Sequence, residues 1–149
     1  MTRKKLRLRA ETEEDLAILS ACLQDAVVCS RDMAYFPKQR AFVGLFSRFK
    51  WEDETSGKGA MRVLTGLHIQ SVLDVQSQNI PRDDDARILD LLAIGYETLD
   101  DIEGRITLVF ADGGLIRIRV ECLDSYLRDF GTPWMTRRTP SHSVVEEDK

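Results

Sequence analysis

The stretch Met61-Arg62-Val63-Leu64-Thr65-Gly66-Leu67-His68-Ile69-Gln70-Ser71-Val72-Leu73-Asp74-Val75-Gln76 decides the fold class. Met61, Val63, Thr65, Leu67, Ile69, Leu73 and Val75 fall on one face; Arg62, Gly66, His68, Gln70, Asp74 and Gln76 fall on the other. A two-residue period marks extended backbone with one buried face, because successive side chains there point to opposite sides. The length predicts one long bent strand, or two strands meeting near Gln70-Ser71.

Upstream, Phe42-Val43-Gly44-Leu45-Phe46-Ser47-Arg48-Phe49-Lys50-Trp51 carries large apolar groups in both alternating sets. That pattern predicts a central strand covered on two sides. Pro37-Lys38-Gln39-Arg40 is a turn before it, and Ala26 to Phe36 reads as a strand stopped by Pro37. Leu6 and Leu8, alternating with Arg7 and Arg9, give a short first strand. Thr12 is an N-cap followed by Glu13, Glu14 and Asp15, which suit the positive end of a helix. Leu16, Leu19, Cys22 and Leu23 then form one helical stripe.

Downstream, Glu52 to Gly59 and Asn79 to Asp85 read as loops, and Ile88 to Tyr96 as a further apolar strand. Ile106, Leu108 and Phe110, the turn Asp112-Gly113-Gly114, and Ile116, Ile118 and Val120 spell a hairpin. Cys122, Leu123, Tyr126, Leu127 and Phe130 are read as one side of a last helix, ended by Gly131 with Pro133 behind it.

The elements sum to an α+β fold. It is a strongly curved antiparallel meander sheet or partial barrel, with one early helix and a C-terminal helix. A barrel plugged by its last helix would resemble the pleckstrin-homology (PH-like) architecture, from which the early helix departs. Residues 1–140 are read as a single domain and 141–149 as a disordered acidic tail.

Of the 149 residues, 43% are hydrophobic and 31% charged, which is ordinary globular usage. A net charge of −4 argues against a nucleic-acid binder. Glu11, Glu13, Glu14 and Asp15 interrupt the basic N-terminus before any signal-like apolar run, and no stretch is long enough to span a bilayer. Cys22, Cys29 and Cys122 sit in apolar surroundings and read as small hydrophobes in a reducing cytoplasm.

Catalytic chemistry finds few footholds. His68 lies on the polar face of its strand and His142 in the tail, so neither is a well-held base for a nucleophile. Asp83-Asp84-Asp85 and Asp100-Asp101-Glu103 lack calcium-loop spacing and read as solvated turns. Gly57-Lys58-Gly59 is too short for a phosphate loop. No metal or cofactor is called for.

Arginines beside aromatics are the more suggestive pattern. Arg105, Arg117 and Arg119 stand off the apolar face of the hairpin, Arg7 and Arg9 pair on the first strand, and Trp134, Arg137 and Arg138 follow the last element. Such groups bind phosphates, carboxylates or acidic segments. For the hairpin the plainer explanation weighs more, since alternating arginine also keeps an exposed strand soluble. Trp134 reads as a latch over the core or a partner contact.

Several segments together resemble an uncharacterised bacterial family, domain of unknown function 2948. They are Glu14-Asp15-Leu16 to Leu23-Gln24-Asp25-Ala26-Val27-Val28, Asp32-Met33-Ala34-Tyr35 with Pro37-Lys38, Arg48-Phe49-Lys50-Trp51-Glu52, and Leu91-Leu92-Ala93-Ile94. Val120-Glu121-Cys122, Leu127-Arg128-Asp129, Gly131, Trp134, Thr136-Arg137-Arg138, Pro140 and His142 complete the match. The resemblance implies no activity, cofactor or catalytic residue.

What remains is a non-catalytic binding or interaction domain contacting its partner through Arg48, Arg105, Arg117, Arg119, Trp134, Arg137 and Arg138. The partner would be another protein or a small anionic ligand, and a homodimer fits equally. The alternative is an enzyme or small-ligand pocket protein using residues such as Arg48, Glu97, Tyr96 or Asp25.

Overall fold

Alternating apolar residues dominate the chain, and the structure, a computed structural model, resolves them into one antiparallel sheet. It describes residues 5–50, 61–80 and 87–135. The described residues form β1 (Arg7–Ala10), α1 (Glu13–Leu23), β2 (Val27–Cys29), β3 (Met33–Phe36), β4 (Ala41–Phe49), β5 (Met61–Ile69), β6 (Val72–Gln78), β7 (Ile88–Thr98), β8 (Gly104–Phe110), β9 (Leu115–Val120) and β10 (Ser125–Met135). The order across the sheet is β1-β10-β5-β4-β2-β7-β8-β9-β6, with β3 added to β4. Every described pairing is antiparallel.

The long alternating stretch is two strands that part at Gln70-Ser71, where Ser71 takes φ 60. β5 belongs to one half of the sheet and β6 pairs β9 in the other, so this corner turns the chain from half to half. The turn also resets the phase: Val72, rather than Leu73, follows Ile69 into the core. The expected strand over Ala26 to Phe36 is split by a 3-10 turn at Ser30–Asp32, which lets β2 join β7 while β3 joins β4.

α1 begins as its sequence dictates. Thr12 Oγ1 accepts from the Asp15 amide at 3.1 Å, and Asp15 in turn accepts from the Glu11 amide at 3.2 Å. Leu16, Leu19 and Leu23 enter a core shared with Phe46, Leu67, Leu91, Ile106, Phe110 and Ile118 from both halves. Each such leucine, fully buried, contributes about 1.5–3 kcal/mol relative to exposure. Ser20 Oγ accepts from the Ile94 amide at 2.9 Å and fixes the helix against β7.

A C-terminal helix is not present: residues 125–135 are β10, inserted between β1 and β5. The helical stripe was a coincidence of spacing. Ser125, Leu127 and Asp129 face inward, while Tyr126, Arg128 and Phe130 face outward. Asp129 disguises the alternation because a carboxylate occupies a core position. Gly131, expected as a helix stop, takes φ +71 at a bulge between Phe130 and Trp134, and Pro133 lies in that same interruption. The early helix packs against β7, β1 and β4. No described helix is long and apolar enough to cross a membrane. Trp51, the Glu52–Gly59 loop, Gly57-Lys58-Gly59, Asp83-Asp84-Asp85, Arg137, Arg138, His142 and the 141–149 tail lie outside the described residues.

Candidate functional site

Register decides which arginines meet. On the hairpin, Arg105 stands directly opposite Arg119, and Arg117 opposite Thr107. Like charges at such a pair repel unless something intervenes. Here carboxylates intervene: Glu97 of β7 pairs with Arg105 at 3.0 Å and Glu103 pairs with Arg119 at 2.9 Å. Arg117 donates to Gln78 of β6 at 2.9 Å. The hairpin arginines are tied to their own sheet.

Arg48 is in the interior. Its guanidinium is wholly buried and forks onto Asp129, Nε to Oδ1 at 3.0 Å and Nη2 to Oδ2 at 2.9 Å. Thr65 Oγ1 donates to the same carboxylate at 2.7 Å and the Leu6 amide at 3.0 Å. Burial pushes the Asp129 carboxyl up, but these hydrogen bonds and the Arg48 charge outweigh it and hold it below its ordinary value. The cluster ties β1, β4, β5 and β10 together; a side chain with no exposed surface offers nothing to a partner.

The other residues considered for a pocket do not converge. Glu97 is engaged with Arg105, the Tyr96 ring lies over Gly104, and Asp25 sits in the turn after α1 with φ 66. Burial raises the Tyr96 hydroxyl, helped by the Glu13 and Cys122 charges. Trp134 is part of β10 opposite Arg62, 42% exposed, so it is a strand residue rather than a latch.

A different face gathers the open chemistry. On the outer side of β1, β10, β5 and β4, one row across the strands reads Arg9, Tyr126, His68, Val43. The next row reads Arg7, Arg128, Gly66, Leu45, and a third reads Phe130, Leu64, Ser47. The His68 and Tyr126 rings stack, 4.6 Å between centroids, and His68 Nε2 meets Gln70 Oε1. Phe130 leans over Gly66, where a Cβ would stand 2.7 Å from its Cε2. A larger residue at position 66 would displace that ring.

Between these rows runs a groove of about 340 Å³ lined by Asp32, Val43, Leu45, Gly66, His68, Tyr126, Arg128 and Phe130. A second depression of about 300 Å³ continues it past Arg7, Arg9 and Tyr126. Arg9 is held by Asp124 at 2.8 Å. Arg128 lies over the Phe130 ring at 4.8 Å. Among the described residues, neither Arg7 nor Arg128 has a carboxylate partner, although they stand opposite each other. Leu45 at 38%, Leu64 at 39% and Phe130 at 38% leave apolar surface open beside them.

This face was only half visible in the sequence. Arg7 and Arg9 stand out as an alternating pair, whereas the helical spacing of residues 122–130 hides Arg128. Its position between Tyr126 and Phe130 was the available signal.

Residues 6–142 match the family described as a protein of unknown function, DUF2948. The chain belongs to that family. No curated protein and no solved structure matches it. Membership in DUF2948 therefore spans every described strand. No group of three or more metal-ligating side chains occurs among the described residues.

Proposed function

We propose that this DUF2948 chain is a non-catalytic interaction domain, and that its contact surface is the outer face of β1, β10, β5 and β4. One observation carries the reading: β4 is apolar on both faces, and its outer face, buried at Ala41 and Phe49, opens at Leu45 between them. Phe42 and Phe46 enter the core, while Leu45 opens to the groove with Val43 beside it. Antiparallel sheets normally turn a polar face to water. Here the wet side of the central strands carries Leu45, Leu64 and Phe130 beside Arg7 and Arg128, which have no carboxylate partner among the described residues. A partner offering apolar side chains and an acidic group fits that chemistry.

Arg105, Arg117 and Arg119 have no part in the proposal, since their own sheet engages them. Trp134 lies at one end of the proposed face, opposite Arg62. The pleckstrin-homology likeness carries no weight in it, because the closing helix behind that likeness is a strand. A reducing cytoplasmic setting, in which the three cysteines stay thiols, belongs to the same proposal.

Photo-crosslinking in intact cells tests the reading. Benzoyl-phenylalanine placed at Leu45 is expected to capture a polypeptide, and the same group at Thr107 of the hairpin face is not. Crosslinks from position 107 alone, or from neither position, would overturn it.

A further inference from the structure

The groove row is asymmetric in charge. Arg7 and Arg128 lie at one end, Gly66 and Leu45 in the middle, and Asp32 lines the other end. Asp32 closes the 3-10 turn before β3 and is exposed; among the described residues it has no cationic partner. Arg128 and Asp32 are about three strand spacings apart, ~14 Å. A two-fold axis lying in the plane of the face, parallel to the strands and over the Gly66–Leu45 boundary, exchanges the two ends. It brings Asp32 of each copy against Arg7 and Arg128 of the other.

Resting on the reading of this face as the contact surface, we infer that its partner is a second copy of the same chain. The copies pack sheet on sheet. Each two-fold contact supplies a carboxylate to Arg7 and Arg128, which have none among the described residues, and the apolar side chains Leu45, Leu64 and Phe130 meet their own equivalents near the axis. Isologous contacts require a self-complementary patch, and a row with opposite charges at its two ends is one. Aligned sheets tolerate this geometry, packing about 10 Å apart with their strands within about 30°. The footprint, roughly five strands wide and six residues long, projects to about 500 Å² per partner, at the small end of specific interfaces. Micromolar association is the corresponding expectation.

The test is a charge exchange on the full chain, read by sedimentation equilibrium from about 1 μM to several hundred micromolar. The wild type is expected to dimerise reversibly. Asp32→Arg places cation against cation, and Arg7→Asp with Arg128→Asp places anion against anion. Each is expected to weaken the dimer about tenfold or more, because like charges then face each other across the interface. The chain carrying all three substitutions restores the contact with its signs reversed and recovers the dimer. An equimolar mixture of the two separately exchanged chains forms a heterodimer, since both of its two-fold contacts are then attractive. All variants are exposed-residue changes, and their melting curves verify the fold. A monomeric wild type, single exchanges without effect, or a triple variant weaker than either parent would overturn the dimer. If the wild type is monomeric while position 45 still crosslinks to a different polypeptide, the dimer fails and the interaction face stands. If neither is seen, both fail.

Discussion

Two arginine pairs face each other across antiparallel ladders in this molecule, Arg105 with Arg119 and Arg7 with Arg128. The first is neutralised from within, by Glu97 on the neighbouring strand and Glu103 at the start of its own hairpin. The second has no carboxylate partner among the described residues; Arg128 lies over the Phe130 ring, next to exposed leucines. Identical residue types on identical backbone therefore serve opposite ends. One pair is compensated by its own sheet; the other is the pair on which the proposed contact rests. A third arginine, Arg48, marks the limit of compensation, with its carboxylate inside the core.

The largest expected effect comes from removing that innermost compensation. Asp129→Ala strands the Arg48 guanidinium in the interior and is expected to lower unfolding free energy by about 3–5 kcal/mol, measured by urea denaturation. Replacing both partners, Arg48→Met with Asp129→Leu, should cost less than the single change. If the single change costs under about 1 kcal/mol, Arg48 is not locked as described.

The same carboxylate sets an acid limit. Its folded pKa lies below its ordinary value, so its stabilisation is present above that ordinary value and is lost as pH falls through the folded one. Denaturation curves at descending acid pH should show this loss, and Asp129→Asn should remove it from the profile.

On the hairpin, Glu97→Gln with Glu103→Gln converts the compensated pair into an uncompensated one. A loss of about 1 kcal/mol is expected, because the bridges are partly exposed. The smallest effect runs the other way. Arg7→Glu gives Arg128 an intramolecular partner and should stabilise the fold by up to ~1 kcal/mol at low ionic strength, fading as salt is added. Equal and opposite responses in the two ladders would support the contrast; a destabilising Arg7→Glu would break it.

How far the sequence spoke depends on the distance between interacting residues. The period of Met61 to Val75, the Thr12 cap and the Asp112-Gly113 turn are local signals, and each element forms where they place it. Residues 122–130 misled because the meaning of Asp129 depends on Arg48, 81 positions away. A carboxylate in a core position looks like a polar helix face until its partner is known. The Arg7–Arg128 opposition exists only once β1 pairs with β10. The expectation that β4 is covered on both sides holds at its ends, where Ala41 and Phe49 of the outer face are buried, and fails at Leu45, which is open.

Covering of that face is most directly measured by hydroxyl-radical footprinting of the protein in intact cells and as a dilute purified monomer. The account predicts that Leu45, Leu64 and Phe130 lose labelling in cells, while Val109 and Leu115 on the hairpin label equally in both. Equal labelling of Leu45, Leu64 and Phe130 in the two states, or protection confined to the hairpin, would contradict it.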